Sequence, residues 1–245
     1  MYDIIVIGKG LMGAAAARYL AQAGVKTAVI GPDEPADWHG HHGVFASHYD
    51  QGRITRVLDP DPVWAELAQR SIAAYKPLEA ASGVRFHYPV GGLRVYEAAS
   101  AEPVPAVRQV AQQFTAPIEE TTVAQLKKRK PFWSFGADAI VFEEDAPAGY
   151  INPRELICAH LAIISQKRAD IVRETAVSLR QTADGFQITT DHGQTLKTKQ
   201  VIVATGAYTN SLLPQPLTLT RKGQTILMAE LPSAEQERLS GMTTL

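Results

Sequence analysis

The 245-residue sequence has a single cysteine, Cys158. It cannot close an internal disulfide, and no second cysteine is present to share a metal, so a disulfide framework and a thiolate cluster are both excluded. Net charge is equally scarce, with 24 basic against 25 acidic residues. No sequence-wide field draws the chain to nucleic acid or an anionic membrane, and a small neutral or zwitterionic substrate is easier to accommodate. No run approaches the roughly 20 apolar residues that a membrane span needs. The apolar run at the N-terminus follows Asp3, lacks basic residues ahead of it and is cut at once by glycine, so it does not read as a secretory signal. Repeats and low-complexity tracts are missing as well. These absences predict a soluble, cytoplasmic protein of one or two domains, with no membrane or nucleic-acid partner.

What is there begins at residue 4. Residues 4–7, "IIVI", are a short branched apolar run ending in glycine, the pattern of a strand buried on both faces of a parallel sheet. Residues 11–23 are small or strongly helix-forming, with Gly24 at the stop position, and residues 25–30 form a second strand. A strand, helix, strand unit of this length requires a right-handed crossover between adjacent parallel strands.

Further on, the pattern predicts a helix over residues 62–80, capped by Asp61 with Pro62 in its first turn, and sets Trp64, Leu67, Ala68, Ile72 and Tyr75 on one face. After Gly83, "VRFHYPVGGLRVYE" alternates around a Gly-Gly pair, which predicts two antiparallel strands and the start of a second domain. Residues 103–131 read as one or two surface helices ending in "KKRKP", a solvated helix end with cations near its C-terminus. Residues 152–166 read as a capped amphipathic helix that packs Leu156, Ile157, His160, Leu161 and Ile164, with buried structural roles for Cys158 and His160. Short strands follow, with Asp184-Gly185 and His192-Gly193 as turns, and the last of them is the apolar "VIVATGAY". His39, His41 and His42 form "HGHH", but no carboxylate or cysteine set completes a ligand group, so a glycine-rich loop is expected there and no metal.

Gly8, Gly10 and Gly13 form G-x-G-x-x-G between the first strand and its helix, the placement that a dinucleotide site requires. Gly8 permits the sharp turn, Gly10 lets backbone approach a pyrophosphate and Gly13 lets helix and strand pack closely. The helix N-terminus then offers free amides, beginning at Leu11 and Met12, to the phosphates. In NAD-binding versions an acidic residue about 20 positions on accepts from the ribose, and NADP versions use an arginine. Here "AVIGPDEP" puts Gly31 and Pro32 at that point, with Asp33 and Glu34 just beyond, so neither nicotinamide version matches well.

"GKGLMGAAAA" at residues 8–17 and the later "VIVATGAY" at residues 201–208 together resemble the D-amino-acid oxidase and sarcosine oxidase family of FAD-dependent oxidoreductases. The order of the remaining landmarks is also similar, including the "GYINPREL" helix entry at residues 149–156, and the resemblance spans essentially the whole chain. It implies an α/β fold. A Rossmann-like FAD-binding domain with a parallel sheet would comprise residues 1–83 and 149–215, and an antiparallel α+β substrate domain, incomplete here, residues 84–148 and 216–245. It further implies FAD held by Gly8, Gly10, Leu11, Met12, Gly13, Gly31, Pro32, Asp33, Val177, Ala204, Thr205 and Gly206. The stretch "ASHYDQGRITR" resembles the serine-histidine, arginine-x-x-arginine segment that lines the flavin in sarcosine-oxidase-like enzymes. By that likeness Ser47 and His48 approach FAD, Arg53 lies against the isoalloxazine ring and Arg56 is a candidate for the substrate carboxylate. His48, Arg53 and Arg56 are thus the catalytic candidates. A guanidinium near the ring stabilises negative charge and its planar fork suits a carboxylate, while structural ion pairs are the competing use of both arginines.

Two departures from the family pattern stand out. Gly31 replaces the acid that many relatives use for the adenosine ribose, so that contact falls to backbone, Asp33, Glu34 or water. Family members also continue well past "LSGMTTL" with further substrate-domain strands. The leading expectation is an FAD-dependent oxidoreductase acting on a small amine or amino acid by hydride transfer to flavin. A truncated chain or split-enzyme subunit, completed by a C-terminal half or by homo-oligomerisation, is the second. A nicotinamide-dependent dehydrogenase, with a carboxylate fixed near Gly31 and no use for the second A-T-G strand end, is the third.

Overall fold

In the computed structural model, which describes residues 1–223 and 225–245, the chain runs β1 (Tyr2–Ile7), α1 (Leu11–Gln22), β2 (Thr27–Ile30), β3 (Arg53–Thr55), α2 (Pro62–Ser82), β4 (His87–Tyr88) and β5 (Gly92–Tyr96). It continues α3 (Val104–Gln113), β6 (Ile118–Thr122), α4 (Val123–Arg129), β7 (Ile140–Glu144), β8 (Gly149–Ile151), α5 (Pro153–Gln166) and β9 (Asp170–Val172). The last elements are β10 (Ala176–Thr182), β11 (Gly185–Thr190), β12 (Thr195–Val203) and α6 (Ser233–Arg238). Gln224, inside the segment expected to re-enter the second domain, lies outside the described residues. No helix among the described residues is long and apolar enough to cross a membrane.

Two compact units divide the chain: Met1–Gln51, Leu78–Phe86 and Pro153–Thr225 form the first, and Gly52–Pro77, His87–Asn152 and Ile226–Leu245 the second. In the first, six strands lie in the order β10-β11-β12-β1-β2-β9. β1 pairs in parallel with both β2 and β12, β2 pairs in parallel with β9, and β10 to β12 form an antiparallel meander. Alternation assigns the side chains to two cores. Ile5, Ile7, Ala28 and Ile30 pack with Ile188, Leu196 and Leu212 on one face, while Val6 and Val29 pack with Ala17 of α1 and Ile164 of α5 on the other. The doubly buried parallel strands expected from "IIVI" are therefore present. β12 is less apolar than its ending suggested: it starts at Thr195, buries Leu196 and Thr198 in alternation, and leaves Ile202 partly in solvent.

The second unit holds two three-stranded sheets, β3-β8-β4 and β5-β7-β6. β4 and β5 are both antiparallel strands, but each pairs elsewhere, β4 with β8 and β5 with β7, so "YPVGG" is a crossing between sheets and not a hairpin turn. The segment expected to be helices alone contains β6 between α3 and α4, because Ile118 to Thr122 runs edge to edge with β7. Residues 52–77, expected with the dinucleotide unit, stand in the second unit, where Val57, Ala65 and Ile72 pack with Val110.

α2 starts where expected, with the Val63 amide donating 2.8 Å to the Asp61 carboxylate, but its buried face is not the expected one. Ala65, Ile72 and Leu78 are buried whereas Trp64 and Leu67 are exposed. On α5, His160 is buried as expected but Cys158 is exposed, one helical step off the packed face. The basic end of α4 is solvated, with Arg129 and Lys130 pairing with Glu143 at 3.1 and 3.0 Å. Among the described residues 217–231 no strand forms, and within the second unit the C-terminal stretch is held at Thr244, whose backbone bonds Gly91 and Leu93.

Candidate functional site

The glycine turn and the A-T-G strand end, far apart in sequence, meet in space. The Gly8 amide donates 2.7 Å to Ile30 and the Ala204 amide donates 2.7 Å to Ile7, which ties three strand ends together. Gly8 has φ of 108°, in the region favouring glycine, and a Cβ there would fall 2.2 Å from the Ala204 carbonyl oxygen. A Cβ on Gly13 would fall 1.8 Å from the Gly8 carbonyl oxygen and 3.2 Å from the Ala204 Cβ. Close helix-strand packing thus forces glycine at both positions.

Gly10 differs, since on its Cβ side the nearest atom is the His48 Nδ1 at 3.9 Å. It is the N-cap of α1, no side chain caps that end, and the first turn carries no acidic residue. Uncapped amides with an open approach and no competing negative charge suit a diphosphate, so the residues present fit the expected cofactor. Leu11 and Met12 lie in that first turn, Met12 largely exposed. Thr205 precedes a 3-10 turn, Gly206–Ser211, and its hydroxyl bonds Thr209. A concavity of about 300 Å³ lies beside this turn, lined by Ala207, Tyr208, Asn210, Ser211, Leu219 and Arg221. None of the glycine-turn residues lines it, so it is a different feature from the diphosphate cradle.

At the exit of β2 the sequence expectation needs detail it did not contain. Lys9, inside the glycine turn, is buried and forms an ion pair with Asp33. Arg173 reaches the other oxygen of the same carboxylate at 3.0 Å. Glu34 is occupied by Arg154 through two bonds of 2.7 Å, and this hydrogen-bonded partner holds the Arg154 pKa above its usual value. Arg154 also donates to the Tyr49 carbonyl and lies over the Trp38 ring. Trp38, Phe45, Tyr49 and His48 form a chain of ring contacts at 4.8 to 6.5 Å, which gives the loop containing "HGHH" an aromatic support. Within that loop the His41 ring bonds the Val44 carbonyl. The group of potential metal ligands found among the described residues is elsewhere, at Glu174, Asp191 and His192.

Of the expected site residues, the first unit brings together Gly8, Gly13 and Ala204, sets Gly10 beside His48, and joins Gly31 and Asp33 through Lys9, with Pro32 between them in sequence. Ser47 is exposed next to His48. Val177 lies at the register shift in β10, an edge strand, with its side chain exposed. Arg53 and Arg56 belong to the second unit. Arg53 opens β3 opposite Ile151. Arg56 donates 2.7 Å to the Leu93 carbonyl, and burial followed by the neighbouring Arg94 draws its pKa below the usual value against the pull of Glu144 and Asp59. Glu144, fully buried, accepts from the Val57 and Leu58 amides at 2.9 and 2.8 Å and so fixes the backbone that carries Arg56. Sequence reasoning missed Lys9, Arg154, Arg173 and Glu144. A lysine between two turn glycines was a visible oddity, whereas the other three act through contacts distant in sequence.

Known proteins resemble this chain in sequence and in fold. Monomeric sarcosine oxidase from Streptomyces avermitilis is 28% identical over 226 residues, which is 90% of this chain and 56% of that protein. N-methyl-L-tryptophan oxidase from Yersinia pestis is 28% identical over 227 residues, covering 90% of this chain and 58% of the relative. Among solved structures, glycine oxidase from Bacillus cereus superposes with a TM-score of 0.67 at 21% identity, over 86% of this chain and 57% of its own. L-Proline dehydrogenase from P. horikoshii gives 0.69 at 19%, over 86% and 54%. These structures share the fold, and the chain spans little more than half the length of the relatives it matches. The model of the FAD dependent oxidoreductase family matches residues 3–244, and with the turn, the second strand end and the uncapped helix in the places described, the chain belongs to that family, whose cofactor is FAD.

Proposed function

We propose that this protein takes part in the oxidation of a small amine or amino acid. When bound, FAD supplies the acceptor for the hydride that leaves the carbon next to nitrogen, giving an imine that hydrolyses. The observation that carries the reading is the junction of Gly8 with Ala204 beside the uncapped start of α1. The α1 amides would hold the diphosphate and His48, beside Gly10, would border it. Arg56 would hold the substrate carboxylate. Its bond to Leu93 uses one of five guanidinium donors, so clamping an anion does not require breaking it.

A second reading is favoured by residues 226–231. Ile226, Leu227, Met228 and Leu231 are all exposed, Leu227 at 93% of its full accessibility, in a chain that matches little more than half of its relatives. On that reading the chain acts with a complementary segment or a second copy that covers this surface.

The visible absorption spectrum of the purified chain, before and after FAD addition and desalting, tests both. Retained flavin bands are expected on the first reading. A colourless protein would overturn it as a self-sufficient flavin binder and leave the second.

A further inference from the structure

The end of β2 presents a problem that this chain solves with its own residues. The position where a dinucleotide fold carries its ribose-binding acid is Gly31. No side chain fits there: a Cβ would lie 2.6 Å from the Lys9 Cβ and 2.7 Å from the Lys9 backbone nitrogen, and backbone cannot swing aside as a flexible side chain can. The usual acid is therefore excluded by the turn itself. Two carboxylates remain nearby, and their surroundings differ. Glu34 is clamped on both oxygens by Arg154 and is only 28% exposed, whereas the Asp33 carboxylate is 56% exposed. Lys9 holds one Asp33 oxygen and Arg173 the other, and each oxygen keeps a further lone pair for a hydroxyl donor. Since Lys9 belongs to the turn, its ion pair tethers the carboxylate within one lysine side chain of the diphosphate cradle.

Resting on the reading that this turn binds the adenosine-diphosphate half of FAD, we propose that Asp33 is the acceptor for the adenosine ribose hydroxyls and that Lys9 and Arg173 are the positioning residues that aim it. The Lys9-Asp33 pair thus replaces the acid that Gly31 cannot carry. The buried Lys9 stem fills the space beside Gly31 while its ammonium carries the tether.

The test is equilibrium binding of ADP, 2′,3′-dideoxy-ADP and FAD to the full chain by titration calorimetry, for wild type, Asp33→Asn, Lys9→Met and Glu34→Gln. A hydroxyl bonded to a charged acceptor corresponds to roughly ten- to hundredfold in affinity. Wild type should prefer ADP over the dideoxy analogue by that factor, Asp33→Asn should lose the preference while binding the analogue as wild type does, and Glu34→Gln should keep it. Lys9→Met, which retains the stem, should narrow the preference with little change in melting temperature. Adding Gly31→Asp to Asp33→Asn should not restore it, because the new side chain has no room. Equal loss for both nucleotides in Asp33→Asn, or loss of the preference in Glu34→Gln, overturns the proposal even if FAD binds normally. So does tighter binding of adenosine 2′,5′-bisphosphate than of 5′-AMP, which would mean that Lys9 and Arg173 read a phosphate. Failure of wild type to bind FAD while it still discriminates between the two ADP forms would sink the flavin reading and leave the ribose assignment standing, and failure to bind any of the nucleotides sinks both.

Discussion

His160 and Glu144 are buried titratable groups whose environments set how the chain responds to acid. Arg18 donates from its Nε to the His160 Nδ1 at 3.1 Å, which joins α1 to α5 and makes that nitrogen an acceptor. Burial first, and the Arg18 charge second, lower the His160 pKa from 6.5 to about 4. Because the folded state takes up this proton less readily than the unfolded chain, the contribution is complete above pH 6.5 and is lost as pH falls toward 4. The loss should be on the order of 3 kcal/mol. Urea midpoints across that range should fall in wild type and fall less in His160→Gln; parallel curves would remove His160 as the cause. Glu144 is different, since burial raises its pKa while the Val57 and Leu58 amides and Arg56 oppose the shift. Its role is to satisfy two buried donors. Glu144→Ala should cost about 2–4 kcal/mol of unfolding free energy, and Glu144→Gln less, because an amide oxygen can still accept one of them. These groups mark the boundary of what was legible residue by residue. Gly8 and Gly13 could be read because the backbone leaves no room for another residue type. The partners of Lys9 and Glu144 could not, because an ion pair or a shared carboxylate depends on which distant segments come together.

At the scale of elements, the packing of α1 on β1 and β2, with Ala204 against Gly13, sets the cradle. Gly13→Ala must push the helix away from the Gly8 carbonyl, since the new Cβ would start at 1.8 Å from its oxygen. Nucleotide affinity should drop at least tenfold, with a lower melting temperature, and calorimetric titration with ADP checks it. β1 and β2 were readable because strands buried on both faces are uniformly apolar. α2 was half readable: its cap and start were evident, but its apolar residues cover more of its circumference than one face. Consequently Trp64→Ala should change stability by no more than about 0.5 kcal/mol and Ile72→Ala by about 2–5 kcal/mol, as urea melts would show. The reverse order would restore the face centred on Trp64. β6 was missed because "IEETT" has an unremarkable composition, and only its pairing with β7 makes it a strand.

For the whole molecule, the two units account for the order of the landmarks, and their boundaries follow packing more than motif. Residues 52–77 join the second unit because Val57, Ala65 and Ile72 find their apolar partners there, a choice invisible in a linear reading. The exposed Leu227 and Met228 belong to this scale as well. Leu227→Lys with Met228→Lys should lower self-association in sedimentation runs and the binding of apolar dyes, while ADP affinity stays that of wild type. Unchanged dye binding would mean that the exposed apolar surface lies elsewhere.

The first unit is assembled from three stretches of chain, and its central pairing joins β1, the earliest strand, to β12, among the latest. During synthesis the glycine turn therefore emerges long before the carbonyl of Ala204 that closes it. Until the ribosome has passed that residue, the most recognisable motif in the sequence lacks the strand end that packs against Gly8 and Gly13. Cofactor capture is thus timed by the far end of the unit: nascent chains halted before β12 should come off the ribosome without nucleotide, however complete their first thirty residues.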